Sequence, residues 1–139
     1  MITEYAKNWF KRADEDLEFI EIILKEKRFS FNPICFHAQQ AAEKYLKGFL
    51  ACHDLHVRKI HDLETLVDDA KTVNQSFETL RSEIKFLNQF YIASRYPEDY
   101  TEFTLGDAKK AYEAAKIVKE LVIENIKWCK KEFRPEQDF

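Results

Sequence analysis

Apolar residues recur at intervals of three and four along most of the chain, which is the spacing of one face of an α-helix. The first such stripe predicts a helix from Thr3, as N-cap, to about Lys27. The segment RFSFNP interrupts the pattern, and Asn32 followed by Pro33 predicts the start of a second helix that ends near Asp54. The first stripe consists of Ala6, Trp9, Phe10, Ala13, Leu17, Ile20 and Leu24.

Two more helices follow in the middle of the chain. HVRKIHDLETLVDDAKTV predicts a short third helix with Asp62 near its start. Ser76 is expected to cap a fourth helix, which ends near Ser94 or Arg95 because the residue before Pro97 is pushed out of the α region. The apolar seam of the fourth helix is Phe77, Leu80, Ile84, Leu87 and Tyr91.

A fifth helix is expected to begin with Asp107 as its cap. There are no strand-like alternations, repeats or low-complexity segments. The predicted fold class is therefore all-α, an antiparallel up-and-down bundle of four long helices plus one short helix. One domain is expected over residues 1–139, with a short polar tail at 134–139. The stripe of the fifth helix is Ala108, Ala111, Tyr112, Ala115, Val118, Val122, Ile126, Cys129 and Phe133.

Composition and charge narrow the class of protein. The net charge of −3 argues against a protein whose whole surface binds nucleic acid, although a local basic patch is compatible with it. No apolar stretch approaches the roughly 18 uncharged residues of a membrane span. The N-terminal residues carry charges where a signal peptide would be apolar. A cytoplasmic protein without a membrane partner is expected.

Cysteines and histidines give no strong indication of a metal site. Without a C-x-x-C pair, the cysteines are interpreted as buried thiols of a reducing compartment. Cys52, His53, His56 and His61 could together form a zinc site, but histidines at a helix-to-loop junction are more often solvated polar residues. We therefore predict no metal and no cofactor. The chain has three cysteines, Cys35, Cys52 and Cys129.

Several familiar kinds of active site are excluded because the chain lacks their sequence motifs. Two glycines, Gly48 and Gly106, cannot supply the repeated turns of a P-loop or a dinucleotide-binding site. The chain also lacks G-x-S-x-G, H-E-x-x-H and the paired E-x-x-H of a di-iron bundle.

The second helix has two contrasting faces. One face is an apolar arc, and the arc opposite to it has two interpretations. It is either an ordinary exposed face or a second buried side, with small residues that permit close approach of a partner and cations that meet an anion. The apolar arc consists of Ile34, Ala38, Ala41, Ala42, Tyr45, Leu46, Phe49 and Cys52. The opposite arc consists of Phe36, His37, Gln40, Lys44, Lys47, Gly48 and Ala51.

Four motifs in order resemble the HEPN domain over about residues 5–130. They are the Trp9, Ala13, Asp16, Leu17 pattern, AQQAAEKYLKGFL, HDLETL and YIASRYP. The resemblance implies a small helical bundle, commonly a homodimer, often encoded in bacteria or archaea beside a minimal nucleotidyltransferase. Many such pairs behave as toxin and antitoxin, with the HEPN member a metal-independent ribonuclease, while other members are described as nucleotide-binding.

The nuclease motif of the family is an arginine followed, after four to six residues, by a histidine. Arg95 occupies the arginine position, but Tyr100 stands where the histidine is expected and no histidine follows His61. Cleaving RNA through its own 2′-hydroxyl needs a proton acceptor near neutral pH, which histidine supplies with a pKa of about 6.5 and tyrosine, at about 10, does not. A guanidinium can still contact a phosphate bidentately without proton transfer.

Two functions follow from the resemblance. The first is a homodimeric module that binds a nucleotide or RNA phosphate, or a nucleotidyltransferase partner, along a cleft that includes Arg95. The second is a divergent metal-independent endoribonuclease toxin in which Arg95 stabilises charge and Tyr100 or His61 replaces the missing histidine. The residues expected to bind nucleotide or phosphate are Arg95, Lys44, Lys47, His37, Gln40, Tyr96 and His61.

Structural roles are the alternative at the same positions. In this alternative, Arg95 forms a surface ion pair with Glu98 or Asp99. His61 hydrogen-bonds a neighbouring loop, and Asp62 is an N-cap. The two lysines of the opposite arc, Lys44 and Lys47, are solvated charges in this alternative.

Overall fold

In the part of the chain that the structure describes, five α-helices form an all-α antiparallel bundle, as the apolar periodicity predicts. The structure, a computed structural model, describes residues 2–26, 30–99 and 101–126, with the side chains of residues 94, 95 and 99 outside that description. The described part contains no strand. The helices are α1 Glu4–Glu26, α2 Asn32–Cys52, α3 Leu63–Lys71, α4 Arg81–Arg95 and α5 Leu105–Ile126, with 3₁₀ turns at Gln75–Leu80 and Pro97–Asp99.

α2 lies at the centre of the bundle and packs against α1, α3, α4 and α5. Its apolar arc is buried throughout, and on the opposite arc Lys47, Gly48 and Ala51 are buried as well. A Cβ at Gly48 would lie 2.5 Å from the Phe10 ring, so the absence of a side chain lets α1 approach α2 closely. Part of the opposite arc is therefore a second buried side, at which Gly48 packs against α1 of the same chain, while Phe36, His37, Gln40 and Lys44 are only partly buried.

Three helix ends agree with the sequence. The Thr3 Oγ1 atom accepts a hydrogen bond from the Ala6 N–H at 3.2 Å, which is an N-cap interaction. Asp62 caps α3 by accepting from the Glu64 N–H at 3.1 Å. α4 ends at Arg95, ahead of the proline.

The predicted cap of α2 is wrong. Phe31 occupies the N-cap position and makes no side-chain cap bond. The Asn32 side chain instead donates to the Thr101 carbonyl at 2.6 Å and accepts from the Phe103 N–H at 2.9 Å, because the loop before α5 offers unpaired backbone groups there. At its other end α2 stops at Cys52, two residues early, since Asp54 adopts a left-handed φ of 58°.

The predicted caps of the last two long helices are also wrong. Asn74, not Ser76, caps the 3₁₀ turn before α4, and its Oδ1 accepts from the Ser76 N–H at 2.9 Å. Thr104 caps α5 through its Oγ1, which accepts from the Asp107 N–H at 3.1 Å, and Asp107 Oδ2 accepts from the Thr104 N–H in return. This reciprocal pair is a capping box, in which the acid is the third helical residue rather than the cap. Residues 127–133 of the predicted fifth helix, and the tail at 134–139, lie outside the described residues.

Replacing Gly48→Ala is expected to lower the free energy of unfolding by about 1–3 kcal/mol, because the new methyl group overlaps the buried Phe10 ring. This penalty should outweigh the gain of about 1 kcal/mol in helix propensity. Urea unfolding, followed by circular dichroism, measures the net change in the free energy of unfolding. Gly106→Ala is the matched control, since its Cβ would meet only Thr104 Oγ1 at 3.5 Å. Equal stability of the two variants would contradict the close approach of α1 and α2.

Asp62→Ala should destabilise the protein by about 1 kcal/mol at neutral pH through loss of the cap. Partial burial favours a higher pKa for the Asp62 carboxyl, but hydrogen bonds from Thr65, Asn88 and the Glu64 backbone outweigh it and lower the pKa. A lowered pKa means that the Asp62 carboxylate stabilises the folded protein above the unfolded pKa of about 3.9. This stabilisation is lost as pH falls through the folded pKa. The stability difference between wild type and variant should therefore shrink in urea unfolding below about pH 4. A difference that stays constant into acid would refute this.

Candidate functional site

A cleft of about 700 Å³ opens beside the N-terminal half of α2. We call it the α2–α4 cleft, because its walls come from α2, from α4 and from the segment that leads into α3. It includes three of the residues predicted from the sequence to bind nucleotide, His37, Gln40 and His61. The lining residues are Asn32, Pro33, Phe36, His37, Gln40, His61 and Tyr91.

His37 is held by a nearly buried carboxylate of α1. Asp16 is 8% exposed, and its Oδ1 lies 2.9 Å from His37 Nδ1. The other oxygen, Oδ2, accepts a hydrogen bond from Lys44 Nζ at 2.7 Å. The carboxylate thus bridges an imidazole and an ammonium group of α2, and both are needed because a buried charge without partners is strongly unfavourable.

His61 is held in the same manner by Glu43 of α2. Glu43 is 4% exposed, and its Oε1 lies 3.0 Å from His61 Nδ1. Its Oε2 accepts from Lys47 Nζ at 3.1 Å. Gln39, which is fully buried, donates to Glu43 Oε1 at 3.3 Å and to the His61 carbonyl at 3.4 Å. The segment before α3 is therefore attached to α2 through hydrogen bonds to both the ring and the backbone of His61.

The two lysines predicted to bind phosphate are engaged elsewhere. Lys44 bonds Asp16, and Lys47 is only 5% exposed, bonds Glu43 and lies with Nζ 5.5 Å from the centre of the Trp9 ring. Neither lysine lines the α2–α4 cleft. The structure thus does not bring them together as an anion site, and Lys47 is not a solvated charge either. Their positive charges compensate the buried carboxylates.

Aromatic rings form much of the cleft wall. The His61 ring stacks on Tyr91 with centroids 4.3 Å apart and planes 19° apart. The His37 ring lies 4.2 Å from Phe19 and packs edge-on against Phe36 at 5.8 Å. Flat π surfaces of this kind are the usual platforms for nucleobases.

Arg95 is the last residue of α4 and follows Tyr91 by four residues, about one helical turn. The predicted anion contact depends on its side chain, which lies outside the description, as do Tyr100 and the side chain of Asp99. Tyr96, the C-cap residue of α4, is 48% exposed beside it and does not line the cleft.

Three residues of the site were not assigned any role from the sequence. Asp16 and Glu43 belong to motifs that resemble the HEPN domain, and Tyr91 belongs to the apolar seam of α4, but none of these patterns predicts a ligand contact. One signal was available for Glu43, because Lys47 follows it by four residues, the spacing of an intrahelical ion pair. No comparable signal exists for Asp16, whose partners are 21 and 28 residues away.

The described residues contain no group of three histidine, cysteine or acidic side chains placed to hold a metal ion. Within the same part of the chain, no helix has both the length and the apolar character needed to cross a membrane. Cys35 and Cys52 are buried thiols outside any disulfide, and burial raises the pKa of the Cys35 thiol to about 12. Cys129 lies outside the described residues.

Comparison with known proteins identifies the family. The HEPN domain profile matches residues 6–126, and the chain belongs to the HEPN domain family. A protein of Methanocaldococcus jannaschii, named "Putative toxin MJ1304", is 27% identical over a 142-residue alignment that covers 89% of this chain and 90% of that protein. The crystal structure of ST0689, an archaeal HEPN homologue, matches with a TM-score of 0.68 and 26% identity over 87% of this chain and 97% of that one.

Glu43→Gln should lower the free energy of unfolding by about 3–5 kcal/mol, because it leaves the Lys47 ammonium buried without a counter-charge. Urea unfolding measures the change. Glu15→Gln is the control, since Glu15 pairs with Arg12 on the exposed face of α1 and should shift stability by less than about 0.5 kcal/mol. If both variants lost the same small amount, Glu43 would not be acting as the buried counter-ion.

Proposed function

We propose that this HEPN protein is a homodimeric module that binds a nucleotide or RNA phosphate in the α2–α4 cleft and pairs with a minimal nucleotidyltransferase in a toxin–antitoxin-like system. The observation that carries the proposal is a cleft with stacked aromatic and imidazole faces, adjoining the end of the helix on which Arg95 stands. Aromatic faces hold bases with little sequence preference, and a guanidinium holds phosphate.

Charge supports a role for Arg95 in this binding. Among the cleft-lining residues that the structure describes, none is lysine or arginine, and the nearby Lys44 and Lys47 are neutralised by carboxylates. We therefore assign the phosphate contact to Arg95, which is the last residue of α4, one helical turn after the cleft residue Tyr91.

A homodimer is supported by the apolar surface of α4. Ile92 is 52% exposed and Tyr96 is 48% exposed. Their spacing of four residues places them on one side of α4, near the helix end at Arg95. A second copy that covers these residues would add its own Arg95 and cleft to the same groove. The name of the M. jannaschii relative, "Putative toxin MJ1304", supports the toxin–antitoxin context.

A second candidate function, metal-independent cleavage of RNA, is favoured by one observation. His61 lies in the cleft with Nδ1 3.0 Å from the buried carboxylate of Glu43, which is how a general base is oriented. In that function Arg95 stabilises the developing phosphate charge, and His61 takes the place that the sequence motif leaves without a histidine.

Arg95→Ala should weaken binding of a fluorescently labelled RNA oligonucleotide by about 10-fold or more, as expected when a charge-assisted hydrogen bond is lost. Fluorescence anisotropy without metal gives the dissociation constant. Arg12→Ala is the matched control, because it removes the same charge from an exposed position of α1. Equal affinities of the two variants would contradict the proposed site.

Light scattering of the wild type should give the mass of two chains, and a monomer would contradict the dimer.

A further inference from the structure

The hydrogen bonds that reach Asp16 and Glu43 have a fixed direction. Each of these nearly buried carboxylates gives one oxygen to a lysine amine and the other to the Nδ1 atom of a histidine. The lysine balances the charge, so the carboxylate is held in its ionised form. An ionised carboxylate can only accept hydrogen bonds, and every group bonded to it must therefore donate at the bonded atom.

This direction fixes the tautomer of both histidines in the α2–α4 cleft. His37 Nδ1 lies 2.9 Å from Asp16 and His61 Nδ1 lies 3.0 Å from Glu43, so Nδ1 carries the proton of each neutral ring. The Nε2 atom is then a hydrogen-bond acceptor. Among residues 2–26, 30–99 and 101–126, neither Nε2 atom has a partner. The side chains are 31% and 44% exposed, so both lone pairs are accessible to a ligand.

The two neighbouring amides of α2 are held in one orientation by the same carboxylate. Gln39 is fully buried, and its Nε2 donates to Glu43 at 3.3 Å and to the His61 carbonyl at 3.4 Å. Both partners can only accept, so the Gln39 amide cannot be turned over. Its Oε1 accepts from Gln40 Nε2 at 2.7 Å, which fixes the Gln40 amide in turn. The Gln40 carbonyl oxygen is thereby left for the cleft, which Gln40 lines.

The described wall of the cleft therefore presents three acceptors, which are His37 Nε2, His61 Nε2 and Gln40 Oε1. Asn32, the other amide of the wall, is bonded through both ends of its side chain to the backbone before α5. A ligand that binds these acceptors must bring N–H donors of its own. A ligand with a carbonyl oxygen at the same place would leave both its oxygen and the protein lone pairs unpaired, which is unfavourable.

We propose that the α2–α4 cleft selects nucleobases whose edge carries an exocyclic amino group, with Gln40, His37 and His61 as the residues that determine this specificity. The inference rests on the proposed function and adds the class of base to it. The amino group of adenine or cytosine supplies two N–H donors from one atom, for Gln40 Oε1 and an imidazole Nε2. The second N–H of Gln40 fits the ring nitrogen beside that amino group. Hypoxanthine and uracil reverse both positions.

The aromatic wall binds the base but does not select it. The His61 ring stacks on Tyr91, and His37 packs against Phe36 and Phe19. Stacking on such faces is tolerant of sequence, because every base has a π face. A preference between two bases of the same ring size must therefore come from the acceptors at the base edge. Cytosine against uracil, and adenine against hypoxanthine, are the matched comparisons, since each pair differs by exchange of an amino group for an oxygen.

The test measures fluorescence anisotropy of the full chain with labelled hexamers of 2′-O-methyl cytidine and of 2′-O-methyl uridine. The 2′-O-methyl group prevents cleavage through the 2′-hydroxyl. A buffer of about pH 8 keeps an imidazole neutral, because the unperturbed pKa of histidine is about 6.5. The cytidine hexamer should bind about 10-fold more tightly than the uridine hexamer. Unlabelled AMP should displace it at about 10-fold lower concentration than IMP.

Three variants test the residues that determine specificity. Gln40→Met keeps the length of the side chain without its carbonyl. His37→Asn and His61→Asn keep an N–H donor for the carboxylate but have no counterpart of Nε2. Each should move the ratio of the two affinities toward one, mainly by weakening binding of the cytidine hexamer. Gln89→Met is the matched control, because Gln89 is exposed on α4 and donates to the Phe86 carbonyl away from the cleft lining.

The outcomes separate the inference from the function on which it rests. If the wild type binds both hexamers with affinities within about twofold of each other, the selection of amino-bearing bases is overturned and the binding function stands. This result needs no variant to fold. A wild-type preference that all three variants retain overturns the assignment to these residues, with circular dichroism melting as the check on folding. Failure of the wild type to bind either hexamer or either mononucleotide overturns the proposed function itself, and the inference with it.

Discussion

Two carboxylates buried between helices organise the polar side chains beside the α2–α4 cleft. An ion taken out of water is destabilised by several kcal/mol unless other groups satisfy it. Asp16 and Glu43 therefore each bind a lysine through one oxygen and a histidine through the other. The lysine balances the charge, and the remaining lone pairs orient an imidazole. The arrangement of the cleft is a consequence of satisfying these two groups.

The packing of the helices keeps these carboxylate contacts rigid. α2 packs against four other helices, and the close approach at Gly48 brings α1 near enough for Asp16 to reach the side chains of α2. Glu43 attaches the segment before α3 to the same helix through His61. His37 stands on a helix, which keeps its geometry better than a loop does, and His61, in the segment before α3, is fixed by its bonds to Glu43 and Gln39. The HEPN fold thus supplies a cleft whose chemistry is set by the interface between its own helices.

Much of this could be predicted from the sequence, and the errors have physical causes. Helical periodicity located the five helices because burial of one face repeats every three to four residues. The caps were less accurate, since several polar residues near each helix end can accept the same backbone N–H. Asn32 bonds a loop distant in sequence instead of its own helix, and Asp107 is the acidic partner in a box that Thr104 begins.

The sequence by itself determined the helical class, the family and the candidate histidines, because periodicity and motifs are local patterns. Only the tertiary structure decided which charges are free. Lys44 lies 28 residues from Asp16, and His61 lies 18 residues from Glu43, so their pairing depends on how the helices cross and align. A wheel drawn for α2 alone shows Lys44 and Lys47 on a polar arc. The neighbouring carboxylates turn those cations into internal counter-ions and leave the imidazoles to face the cleft.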